Sequence, residues 1–157
     1  MGEKINQMGR KQTEWEPMPK PLVIDSGAGA TVLPSEWFVN HETRESADSA
    51  QGRYYLTADG TKIYNEGEKT LQMATLSKDF VRKMVFQVAA VSKALGSVSQ
   101  MVRNGNRVIF DQDGNGNNTS YIQHKETGQC IPVKLENGVY VLELLVAPPA
   151  SFTGRGY

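Results

Sequence analysis

Apolar residues in this chain fall in short runs parted by polar turn chemistry, the rhythm of strands and hairpins rather than of long helices. Residues 22–25 and 30–33 read as two short strands around a turn at 26–29. Residues 34–38 follow as a one-turn helix with Pro34 or Ser35 at its start. The charged stretch 41–52 has few apolar positions and reads as a surface loop. Residues 54–57 and 62–64 flank Ala58-Asp59-Gly60-Thr61, where Asp-Gly between two apolar runs signals a hairpin turn. Residues 68–76 and 84–91 read as further strands.

The clearest helical spacing is in 93–103, through Leu95, Val98, Met101 and Val102, with Asn104-Gly105 as its C-cap. Residues 107–110 and 120–124 form a second hairpin around the Gly/Asn-rich loop 111–118. A turn at 125–128 leads into a strand at 129–133, and 138–146 is the last and most apolar strand, stopped by Pro148-Pro149. The sum is an all-β chain with one short helix, for which a small closed or strongly curled β-barrel is the economical fold. Polar residues 1–20, with Pro17 and Pro19, read as a tail or linker, residues 21–146 as the single domain, and 147–157 as a C-terminal tail.

Composition narrows the function classes. The 157 residues suffice for one core, and 17 basic against 17 acidic residues give zero formal charge. No basic stripe is present to hold a nucleic-acid backbone, so a nucleic-acid partner is not expected. No apolar run reaches membrane-spanning length and the N-terminus lacks the apolar core of a signal peptide, so no membrane association is expected. Cys130 is the only cysteine, which excludes an internal disulfide and a cysteine zinc site and fits a reducing compartment; in the 129–133 strand it reads as a small buried hydrophobe.

One candidate for chemistry stands out. The apolar strand 22–25 runs straight into Asp25-Ser26-Gly27, and a second apolar run follows. A carboxylate at the mouth of a buried strand is costly to desolvate without purpose, and such burial is one way proteins tune carboxyls for acid–base work.

The order of parts resembles a retroviral-type aspartic protease (a retropepsin): apolar strand, Asp25-Ser26-Gly27-Ala28, apolar strand, Gly-tipped hairpin, strands, then an apolar-Gly segment entering a helix. The second half is similar to the protease region of copia-type retrotransposon polyproteins through Leu95-Gly-Ser-Val-Ser-Gln100, Gly105-Asn-Arg-Val-Ile-Phe110, Tyr121-Ile122, Lys125-Glu-Thr-Gly128 and Asn137-Gly-Val-Tyr140. The resemblance implies a retropepsin-type barrel and an aspartic endopeptidase active as a homodimer, because the chain offers one Asp-Ser-Gly turn and peptide hydrolysis needs both a base and an acid. Asp25 and its symmetry mate would share one proton, activate water and polarise the scissile carbonyl.

Ser26 would bond across the dimer, Gly27 would keep the carboxylate approachable, and Ala28 with Ala58, Asp59, Gly60 and Thr61 of the flap would contact an extended polyprotein segment. Residues 139–146, with some of the N-terminal tail, are the candidate interface strands. Asp59 at the flap tip, and Ser97 and Ser99 after Gly96, depart from the usual retroviral pattern. The resemblance implies no metal or organic cofactor, and cytoplasm or an intracellular particle as the setting. The alternative function is a catalytically inactive retropepsin-like peptide-binding or assembly module.

Rival motifs fare worse. Asp111, Asp113, Asn115 and Gly116 match an EF-hand loop, but the position that needs a bidentate Glu is Ile122 and the flanks read as strands. Gly27-Ala-Gly29 lacks the third glycine and βαβ frame of a dinucleotide loop. His41 and His124 are too far apart in sequence to suggest a metal site.

Overall fold

A computed structural model describes residues 14–149; residues 1–13 and 150–157, most of the two expected tails, lie outside the described part. The strands are β1 (Glu16–Pro17), β2 (Leu22–Asp25), β3 (Val32–Pro34), β4 (Tyr54–Leu56), β5 (Lys62–Tyr64), β6 (Gly67–Thr75) and β7 (Val81–Ala89). They continue as β8 (Leu95–Ser97), β9 (Asn106–Ile109), β10 (Tyr121–His124), β11 (Cys130–Pro132), β12 (Lys134–Glu136), β13 (Val139–Leu142) and β14 (Leu144–Val146). Two helices, α1 (Ala47–Ala50) and α2 (Val98–Arg103), complete the set.

The main sheet has nine strands in the order β1-β14-β6-β7-β3-β8-β2-β13-β12, beside a small sheet β11-β10-β9 and the hairpin β4-β5. Its shape follows from one connection. Only Glu143 separates β13 from β14, yet β13 pairs with β2 and β14 with β6, at opposite flanks of the intervening strands. In a flat sheet those flanks would stand about 29 Å apart at ~4.8 Å per strand, whereas Leu142 to Leu144 spans at most about 7 Å. The sheet therefore curls into a half-barrel, and the chain is mostly β, compatible with the expected all-β fold.

Period-two alternation builds the interior. In β6, Gly67, Lys69, Leu71 and Met73 are buried in turn, and Leu22, Leu33, Leu71 and Phe86 are fully shielded from solvent. Lys69 breaks the apolar rule. Its ammonium donates to the carbonyl of Phe38 at 2.6 Å, and burial lowers its pKa. That contact holds residues 34–41 against the sheet.

Several expectations are corrected. Residues 34–38 form turns and no helix: Pro34 is already paired in β3, and Phe38 has φ 51°, outside helical space. The helix expected over 93–103 begins only at Val98. Leu95–Ser97 is drawn into the sheet by parallel pairing with β2, and Ser97 caps the helix by accepting from the Gln100 amide. The loop 41–52 contains α1 and a bridge from Arg44 to Glu68. The terminal strand breaks at Glu143 and gains an unforeseen partner, β12, through Asn137-Gly138, whose φ values of 51° and 80° suit a tight primed turn.

The tails are also shorter than expected, since Glu16-Pro17 pairs with β14 and the Ala147 amide donates to the Gln72 carbonyl. Cys130 is exposed, because Ile131 takes the inward position of its strand. As for the candidate interface strands, β13 lies between β2 and β12, and β14 between β6 and β1, so neither has a free edge.

Candidate active site

Asp25 is the last residue of β2, and its parallel register partner on β8 is Ser97. Ser97 is fully buried and carries the local architecture. Its hydroxyl donates to the Ala28 carbonyl at 2.7 Å and accepts from the Gln100 amide at 3.3 Å. Its own amide donates to Thr31 Oγ1 at 3.1 Å. The far side of the turn is thereby pinned to the start of α2.

Within the turn, the Gly27 amide donates to Asp25 Oδ1 at 2.8 Å. A Cβ on Gly27 would lie 3.3 Å from that oxygen, tight enough to disturb the approach. Asp25 is half-buried, not buried as its strand context implies, since Ser26 and Gly27 stand exposed and leave its outer side open. Its second carboxylate oxygen and the Ser26 hydroxyl have no hydrogen-bond partner among the described residues. A carboxylate so placed has one oxygen oriented by the backbone and one facing solvent, a geometry able to take a proton from water. A single such group supplies either a base or an acid at any moment.

Ser97→Ala is expected to destabilise the fold by about 2 kcal/mol, because the part-buried Ala28 carbonyl and the helix cap lose their partner together. Urea denaturation measures it; a midpoint unchanged from the wild type would show that the turn does not depend on this hydroxyl.

The β4-β5 hairpin forms where its sequence indicates. Thr57 and Thr61 are bridged by an amide-to-carbonyl bond of 3.0 Å, and Gly60 takes φ 86°, a value few other residues tolerate. Ala58, Asp59, Gly60 and Thr61 are all exposed. The Asp59 carboxylate folds back on the tip, accepting from the Thr57 hydroxyl and, at 3.1 Å, from the Thr61 amide. These bonds hold its pKa down to about 2, led by the Thr57 hydroxyl. Asp59 is thus committed to stiffening the hairpin.

A folded value below that of an unfolded Asp (about 3.9) means that the stabilisation is present above that value and is lost as pH falls through about 2. A carboxyl-carbon NMR titration should therefore place the Asp59 midpoint near about 2, and Thr57→Val should raise it. A midpoint that ignores Thr57→Val would refute the assignment.

The hairpin and the Asp25 turn are not joined by any hydrogen bond among the described residues. Buried Asn65 anchors the hairpin's foot instead, donating to Gln87 Oε1 at 2.8 Å and to the Tyr55 hydroxyl at 3.2 Å, and accepting from the Gly67 amide at 2.8 Å. Neither Asn65 nor Thr31 was legible as a site-building residue, since an isolated polar residue at a strand end carries no spacing signal.

In the 111–118 loop, Asp113 accepts from the Asn117 and Asn115 amides, each at 2.9 Å, which lowers its pKa. Its carboxylate organises the loop's own backbone. Among the described residues no group of three or more His, Cys, Asp or Glu is arranged to hold a metal, and no helix is long and apolar enough to cross a membrane. No protein-family model matches the chain, and neither the curated proteins nor the solved structures contain a significant match to it.

Proposed function

We propose that this chain is a retropepsin-like aspartic endopeptidase, similar to the protease region of copia-type retrotransposon polyproteins, that works as a homodimer. The observation that carries the reading is the Asp25 turn: a half-exposed carboxylate ends a core strand, is oriented by the Gly27 amide and is braced from behind by buried Ser97. Two copies related by a twofold axis bring two such carboxylates into contact, where one proton serves both. The ionised member takes a proton from water as it attacks the scissile carbonyl, and the protonated member hydrogen-bonds the carbonyl oxygen. The exposed Ser26 hydroxyl is free to bond across the twofold.

The Ala58–Thr61 hairpin acts as the flap, anchored at Asn65, and an extended peptide adds as a strand beneath it. With β13 and β14 paired on both sides within the chain, the subunits meet through the turn side or through β1 and β12, the outermost strands of the sheet among the described residues.

The test combines sedimentation equilibrium with incubation of the purified chain and a peptide library at mildly acidic pH. Pepstatin-sensitive cleavage that rises with dimer fraction is expected. A chain that stays monomeric across working concentrations, or dimerises and retains peptides uncut, would overturn the endopeptidase reading; the second result would favour a peptide-binding module.

A further inference from the structure

A half-open pocket of about 280 Å³ runs from the curled sheet to the surface, and the Asp25 chemistry does not use it. Leu22, Met73, Met84, Met101, Ile122 and Leu142 line it, and none of residues 25–28 or 58–61 does. Two of its polar groups are already engaged: Thr31 Oγ1 accepts from the Ser97 amide at 3.1 Å, and Asn106 Nδ2 donates to the Met101 carbonyl at 2.9 Å. A mostly apolar wall of this size suits an apolar guest. Three methionines make the wall adaptable.

Two cations line this space, Arg82 and the more exposed Lys83. Alternation along β7 puts Arg82 on the same face as Met84 and Phe86, and Arg82 lines the cavity. Its guanidinium lies over the Phe80 ring, 4.8 Å from the centroid, and the residue is partly buried. Among the described residues it forms no ion pair, and no Asp or Glu lines the cavity. A partly desolvated guanidinium at an apolar mouth, with no counter-charge, is complementary to a carboxylate carried on a hydrocarbon chain.

We propose that this cavity binds a small anionic amphiphile, a medium-chain alkyl carboxylate, with its chain among the methionines and its head on Arg82. The inference stands independently of the protease reading.

Decanoate, decyltrimethylammonium and 1-decanol, titrated calorimetrically into the full chain, test it. Decanoate should bind saturably, about tenfold or more tighter than the cationic analogue. Arg82→Gln should weaken decanoate by about tenfold while Arg82→Lys retains most of the affinity, and thermal melts check that both variants fold. Methionine-methyl NMR on the unmodified protein provides a readout without mutation: decanoate should shift Met73, Met84 and Met101 and spare Met18. Equal affinity for the two charged heads, binding indifferent to Arg82→Gln, shifts outside those three methyls, or no saturation below about 1 mM would each overturn the proposal.

Discussion

Asparagine in place of Asp25 is expected to bring peptide cleavage down to background, a loss of about 10⁴-fold, while the melting temperature stays at the wild-type value. The two halves of that expectation come from different atoms. The Asn side-chain carbonyl can still accept from the Gly27 amide, which stands 2.8 Å from Asp25 Oδ1, so the turn keeps its internal bond. Ser97 and Thr31, which brace the turn from the core side, are untouched. An amide, however, neither takes a proton from water nor shares one with its mate, so the dyad loses both of its roles. A tandem dimer carrying the substitution in one copy should be equally inactive, since each copy contributes one of two non-equivalent partners. Cleavage surviving in the variant would place the activity elsewhere; a collapsed melt would make Asp25 a structural residue first.

Gly67→Ala is expected to be the most damaging single methyl in the described chain, with a loss of about 3 kcal/mol. Gly67 opens β6 with φ 128°, where an L side chain is strained. Space is also lacking: a Cβ there would collide with the Arg44 carbonyl oxygen. That oxygen accepts from the Glu68 amide at 2.8 Å, and the Arg44 amide returns a bond of 2.9 Å to the Glu68 carbonyl, so relief of the clash breaks a reciprocal pair. Gly60→Ala provides the comparison. Its φ of 86° is strained as well, but nothing lies within 4 Å of the added carbon, so only the backbone penalty of about 1 kcal/mol applies. Urea denaturation of both variants separates strain from crowding; equal losses would mean that Arg44 yields without cost.

Local chemistry made much of the fold readable in advance. The turn after Leu22–Asp25, the Asp59-Gly60 hairpin, the long β6-β7 pair and the β9-β10 hairpin lie where alternation and turn residues place them. The misreadings cluster where a distant partner outvotes local preference. Leu95–Ser97 has helical spacing but joins β2, because a parallel neighbour satisfies its backbone and Gly96 lets it close on Leu22, whose side chain would sit 3.1 Å from a Cβ there. Residues 34–38 have the look of a helix start, yet Pro34 belongs to β3 and the following carbonyls are claimed by Lys69 from across the sheet.

The candidate site divides along the same line. That a carboxylate ends an apolar strand, next to a glycine and upstream of a Gly-tipped hairpin, is written in neighbouring residues, because turn geometry is a matter of adjacent dihedrals. That Ser97, seventy-odd positions downstream, props this turn, that Asn65 anchors the hairpin, and that Asp25 is left half-open came only from the folded chain. Hydrogen bonds between residues remote in sequence depend on register and curl, which no local pattern encodes. The proposal for the site rests on two such carboxylates meeting across a twofold axis; two subunits that hold them apart in every assembly would end it.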